Sequence, residues 1–298
     1  MKTTFFLSLF VLLFQLNSFA QFGRNKVQYK TFDWYYIQTT HFDIYFSLEG
    51  DKLAEFAAKA SEDALRAIER KINYRINNRI TLILYYSQND FQETNVIDQY
   101  LSEGIGGFTE LFKNRVVLPF TGSYKDFRHV IHHELVHAVM NDMFYGGSIQ
   151  NVIANNISIR FPIWFSEGMA EYLSLGWDTN TDMFIRDAAT SEYLPDIPNL
   201  DNYFAYRGGQ SVIHYIAGKY GEEKIGELMN RIKSKGNVEE GFKASIGLDI
   251  KELNERWKKE IKREYWPEIA FRKDPDEFAK RLTDHRKDGG FYNINPAL

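Results

Sequence analysis

Two imidazoles and a carboxylate fall within five residues at His133-Glu134-Leu135-Val136-His137. On a helix, positions four apart lie one turn apart on one face, so His133 and His137 can grip a single ion. Glu134 is offset from that face, placed to touch a water on the ion without ligating it. A catalytic zinc needs a third protein ligand and an open fourth position. Thirty residues on, Trp164-Phe165-Ser166-Glu167-Gly168-Met169-Ala170-Glu171-Tyr172 offers Glu167 and Glu171 four apart, on what reads as a helix starting near Pro162. One carboxylate can complete a two-His, one-Glu site. The other can accept the spare N–H of a ligand histidine and fix its tautomer. Trp164, Phe165, Met169, Tyr172 and Leu173 surround the pair with apolar bulk, which a solvated helix face seldom has. The expected set is therefore one Zn2+ per chain on His133, His137 and Glu167, with Glu171 behind a histidine.

Other completions fail. A metzincin would carry a glycine at position 140 and a histidine at 143, where this chain has Met140 and Met143. Asp142 lies too far round the helix to join both histidines. His129, one turn before His133, could touch substrate or simply be exposed. His41, His132 and His285 carry no readable signal.

With these residues in place, the chain resembles the gluzincin metallopeptidases. Trp164-Phe165-Ser166-Glu167-Gly168 is similar to the Trp-Leu-Asn-Glu-Gly stretch of their aminopeptidase branch, which implies Glu167 as the third zinc ligand. Tyr206-Arg207-Gly208-Gly209 resembles the Tyr-x-x-Gly segment carrying that branch's catalytic tyrosine, which implies Tyr206 as a donor to the oxyanion. Tyr203 and His214 are the substitutes in a chain with 18 tyrosines. One departure concerns specificity. That branch holds the substrate's amino group with the Glu of Gly-x-Met-Glu-Asn, whereas here Gly106-Gly107-Phe108-Thr109-Glu110 puts Thr109 in its place and Glu110 one residue later. On a strand that shift turns the carboxylate to the other face. The closer resemblance, over most of residues 30 to 275, is to peptidase MA-like domains, which lack that anchor. It implies an edge strand, near Thr109 and Glu110, that pairs with an extended substrate.

The elements around the motifs read as α+β. Asp33 to Thr39 and His41 to Ser47 look like paired strands, the second alternating Phe42, Ile44 and Phe46. Residues 51 to 72 repeat apolar positions at helical spacing, and 79 to 86 and 114 to 120 are β-rich. From Asp126 to Met140 there is no Gly or Pro; Phe127, Ile131, Leu135 and Ala138 form one stripe, with the histidines roughly opposite. Further helices are expected at 205–220, 222–234 and 249–265. A mixed-sheet N-terminal lobe (about 27–122) thus precedes a mainly helical C-terminal lobe (about 123–275), with a zinc cleft between.

Composition agrees with one large exported catalytic domain. Hydrophobic residues make up 44% and aromatics 16%, enough for a sizeable core. A net charge of −4 and pI near 6 exclude a nucleic-acid footprint. Met1-Lys2, the apolar run from Phe5 to Leu16 and Ser18-Phe19-Ala20 read as a signal peptide over 1–20, cleaved before Gln21. The run is too short for a stable membrane span. The absence of cysteine removes disulfides and a lipoprotein attachment site, and suits a bacterial periplasm or cell surface. The segment from Phe144 to Phe161 reads as an insertion, either packed on the catalytic lobe or serving as a lid or envelope-partner surface. The charged run from Lys251 to Lys273 reads as a solvated helix face. Residues 276–298 read as a linker, and Phe291 to Leu298 resembles the opening of a TolB-like propeller blade.

The expected function is hydrolysis of peptide or protein substrates, with Glu134 as general base and Tyr206 sharing the oxyanion. The alternative is a zinc-bearing but non-catalytic binding or assembly module of the cell envelope.

Overall fold

The computed structural model describes residues 26, 28–47, 50–97, 101, 104–110, 114–146, 159–273, 275–280, 282–284 and 287. The expected leader over 1–20, most of the 144–161 insertion, His285 and the blade-like tail at 291–298 lie outside these.

Five strands form one mixed sheet: β1 (Trp34–Gln38), β2 (Phe42–Ser47), β3 (Ile80–Tyr85), β4 (Phe108–Thr109) and β5 (Arg115–Pro119). Their order is β1-β2-β3-β5-β4, parallel across β2, β3 and β5, with an antiparallel strand at each edge. The period of two decides which residues go inward. In β2, Phe42, Ile44 and Phe46 are buried while Tyr45 is exposed. The register carries one face across the sheet: Ile44 opposes Leu82, Leu82 opposes Val116, and Val116 opposes Thr109. The first three are fully buried, so Thr109 ends an apolar row on the covered face. The opposite row, Ile83, Val117 and Phe108, contributes to a smaller cluster with Tyr85, Phe91 and Leu101.

The covered face packs under helices. α1 (Asp51–Ile72) buries Leu53, Ala54, Ala57, Ala60, Ala64, Leu65, Ile68 and Ile72, a stripe at the spacing the sequence predicts. A short α2 (Gln88–Gln92) follows β3 and buries Phe91 in that smaller cluster. α3 (Tyr124–Tyr145) starts at Ser123, whose hydroxyl accepts the Asp126 N–H, and stops at Gly146 in the left-handed region (φ 65°). This helix departs from the expected one-sided pattern. Val136, Val139, Met140, Met143 and Phe144 are buried as well as the Phe127 stripe, because α1 and α4 (Ile163–Leu175) both pack on it.

The remaining helices are α5 (Thr179–Thr190), α6 (Asn202–Tyr220), α7 (Glu223–Lys235), α8 (Val238–Ile246) and α9 (Ile250–Ile269). α6, α7 and α9 fall at the three expected positions; the sequence reading did not place α2, α5 and α8. α9 opens with a capping box between Asp249 and Glu252 and buries Leu253, Trp257, Ile261 and Tyr265, leaving its charged side in solvent. The architecture is α+β, with a mixed sheet N-terminal to a helical lobe.

α4 and α6 approach to backbone contact. A Cβ on Gly168 would lie 2.3 Å from the Gly209 carbonyl carbon, and one on Gly209 would lie 2.1 Å from the Trp164 oxygen. Only glycine fits either position. This contact seats the Glu167–Glu171 helix against the helix that carries Tyr206 and Arg207.

Candidate metal centre

α3 presents His129, His133 and His137 at successive turns, and α4 lays Glu167 and Glu171 across them. Around one point, His133 Nε2 and His137 Nε2 are 3.2 Å apart, Glu167 Oε2 is 3.2 Å from His133 Nε2, and it is 3.4 Å from His137 Nε2. Four ligands at tetrahedral angles about 2.05 Å from a zinc ion would stand about 3.3 Å apart. The donor chemistry agrees, since two imidazole nitrogens and a carboxylate suit zinc. These side chains fit a metal ion, and they are the three the sequence singled out.

The other end of His133 explains Glu171. His133 Nδ1 lies 2.8 Å from Glu171 Oε1, both buried. With Nδ1–H donated to that carboxylate, the neutral ring presents its Nε2 lone pair to the cleft. From the protein's own charges alone, burial opposes charging His133, yet Glu167 and Glu171 raise its pKa to about 10. Burial raises Glu167, yet hydrogen bonds from His133 and His137 bring it down to about 2. Burial likewise opposes ionising Glu171, and contacts with His129 and His133 hold it well below the usual carboxylate range.

Glu171 has a further partner. Arg207 on α6 donates from Nη1 to Glu171 Oε2 at 2.9 Å and to Thr181 Oγ1 at 2.9 Å. Gln210, fully buried, accepts from Thr181 and donates to Asp178 Oδ2 at 3.0 Å. Asp178 also caps α5 through the N–H groups of Asn180 and Thr181. Sequence reasoning missed Arg207, Thr181, Gln210 and Asp178. Arg207 sat within the quoted Tyr206-Arg207-Gly208-Gly209 stretch, and a cation there could have been paired with the spare carboxylate.

A second group, His129, His133 and Glu171, also has its donor atoms close enough to hold an ion. His129 Nε2 is 3.4 Å from Glu171 Oε1 and its side chain is partly buried, so it is neither simply exposed nor remote. Charge balance disfavours this group. Glu171 already faces the Arg207 guanidinium, and an ion there would have to displace the His133 Nδ1 proton.

Glu134, 7% exposed, sits beside the three donors and accepts from Thr109 Oγ1 at 2.7 Å. Glu110 turns the other way, taking Arg115 Nε at 2.5 Å, as the one-residue shift predicts. Tyr206 reaches the site with its ring stacked on His133 at 6.1 Å between centroids. Burial and the charges of Glu167, Glu134 and Glu171 push its phenol up to about 12, so it stays an O–H donor near neutrality. Tyr203 lines the same cleft, but its hydroxyl accepts from Arg207 Nε. His214 is not brought there: its ring stacks on Trp177 at 4.5 Å, on another side of α6. Asp142 is likewise engaged elsewhere, accepting from Tyr74 and Asn78. His41 pairs with Glu62 at 2.8 Å. The cleft itself measures about 380 Å³, bounded by the Gly104–Gly107 segment on one side and by Tyr203 and Tyr206 on the other.

An α+β fold with two histidines on one helix and a glutamate on the next defines a metallopeptidase-like protein. Residues 60–263, more than half of the chain, match the family model of the peptidase MA superfamily, and the chain belongs to that superfamily. Comparison with curated proteins gives no match.

Proposed function

We propose that this chain is an exported zinc metallopeptidase that hydrolyses peptide bonds in the cleft between its sheet and helical lobes. The observation that carries the reading is the convergence of His133 Nε2, His137 Nε2 and Glu167 Oε2 beside an unligated, buried Glu134. Zinc there would supply an activated water and polarise the scissile carbonyl. Glu134 takes the proton from the attacking water and passes it to the leaving amine. Tyr206 donates its O–H to the developing oxyanion. Glu171 holds His133 in the ligating tautomer, and Arg207 holds Glu171. Strand β4, at the sheet edge among the described residues, offers its outer side to an extended substrate.

Export rests on the first 20 residues, whose charge, apolar run and small-residue end fit a cleaved leader. No helix among the described residues is long and apolar enough to cross a membrane. The domain is taken as residues 21–275, followed by a linker at 276–298.

The test is Glu134→Gln, assayed for cleavage of a random peptide pool by mass spectrometry and for metal content. Wild-type products that fall by about 100-fold or more in the variant, with zinc retained, are expected. Products that persist in the variant would refute the general-base assignment. Zinc bound by a wild type that yields no products would favour the binding-module reading.

A further inference from the structure

We propose that Thr109 is a positioning residue for Glu134, aiming the base's carboxylate with its side-chain hydroxyl; this rests on the hydrolytic reading above. Three features place it there. The sheet register sets Thr109 at the end of the row Ile44, Leu82, Val116, on the face that packs against α3. The row is apolar until its last member, which alone carries a hydroxyl. Gly107, two residues earlier, lets the segment come close: a Cβ there would lie 2.9 Å from Leu118, 3.1 Å from Val130 and 3.2 Å from Glu134 Cγ.

The contact is specific. Thr109 Oγ1 stands 2.7 Å from Glu134 Oε2 and 2.9 Å from the Glu134 main-chain oxygen. Among the described residues, no other side chain hydrogen-bonds this carboxylate. A buried carboxylate that ligates nothing needs such a donor, and its last torsion is otherwise broad. The hydroxyl has one hydrogen and two acceptors within reach. It can donate to Oε2 while Glu134 is ionised. Once Glu134 has gained a proton, Thr109 can accept from it and turn its own hydrogen to the main-chain oxygen. One side chain thus keeps the base in place before and after it takes a proton. The same engagement removes Thr109 as a substrate-amine holder, and the Arg115 pair removes Glu110.

The experiment uses the full zinc-loaded chain with Thr109→Val, which keeps the shape and loses the hydroxyl, and Thr109→Ser, which keeps the hydroxyl. On one internally quenched peptide selected by wild-type cleavage, Thr109→Val should lower kcat about 10- to 100-fold with KM little changed. Thr109→Ser should recover most of that rate, and both should hold one zinc. A double-mutant cycle of thermal midpoints gives a readout independent of turnover. Thr109→Val should cost stability in the wild type and little in a Glu134→Ala background. A valine variant with wild-type kcat, a serine variant that fails to recover, or strictly additive midpoints would each overturn the assignment while hydrolysis stood. A wild type that cleaves nothing overturns the hydrolytic reading, and this role with it.

Discussion

The two nitrogens of His133 look into different surroundings. On the cleft side, Nε2 meets His137 and Glu167, each at 3.2 Å, and the three donors have one carboxylate charge among them. On the buried side, Nδ1 meets Glu171 at 2.8 Å, and Arg207 closes the far oxygen of that carboxylate at 2.9 Å. Both sides are built from histidine and glutamate, and both have the spacing to hold an ion. The difference lies in what already neutralises the carboxylate. Among the described residues, Glu171 faces the Arg207 guanidinium as well as His129 and the His133 N–H, while Glu167 faces the His133 and His137 imidazoles and no guanidinium. An ion belongs where the protein has left the charge uncompensated.

Removing histidines tests that contrast most sharply. His137→Ala should lose the metal, with at least about a 100-fold fall in zinc affinity, while His129→Ala should bind as the wild type does. Metal content after dialysis against a graded chelator series measures both. The reverse ranking would put the ion on the buried side. Glu171→Ala should have a smaller effect, weakening zinc by about 10- to 100-fold, since it loosens a ligand without deleting one. Equal losses in Glu171→Ala and Glu167→Ala would erase the distinction between the two carboxylates. The smallest effect falls at the edge of the buried side. Asp178→Ala removes the α5 cap and a partner of Gln210, costing about 1 kcal/mol, read as a melting shift of about 2–4 °C with zinc affinity within twofold. Burial raises the Asp178 carboxyl, but hydrogen bonds from Thr181 and Gln210 lower it overall. Its contribution is therefore present above the ordinary carboxylate pKa and fades as pH falls through the depressed value. The variant's melting deficit should accordingly shrink in acid.

Much of this was legible in the sequence because short-range rules set it. The i,i+4 spacing put His133 and His137 on one face, and the same spacing on α4 put Glu167 and Glu171 within reach of opposite ends of one ring. The period of two in β2 marked the covered face, and it also separated Thr109 from Glu110. What was not legible depended on partners distant in the chain. Arg207 meets Glu171 across 36 residues, and Thr109 meets Glu134 across 25. Neither local period nor composition encodes such pairs. His214 shows the opposite error: it shares α6 with Tyr206, but its turn of the helix faces Trp177. α5 and α8 were missed because the Thr-Asn-Thr start of α5 and the Val238 and Gly241 of the short α8 carry weak helical preference, while Asp178 and Asn237 cap them firmly.

Gly168 follows Glu167 directly, and Gly209 lies three residues beyond Tyr206. Their backbones touch with no side chain between them, so α4 and α6 have no compliant layer to absorb a displacement. Glu167, the proposed ligand, and Tyr206, the proposed oxyanion donor, sit on different helices and are thereby calibrated against each other like two jaws on one rigid caliper. The tolerance of the proposed centre is set where two glycines meet, and a single added methyl there would reset the gauge.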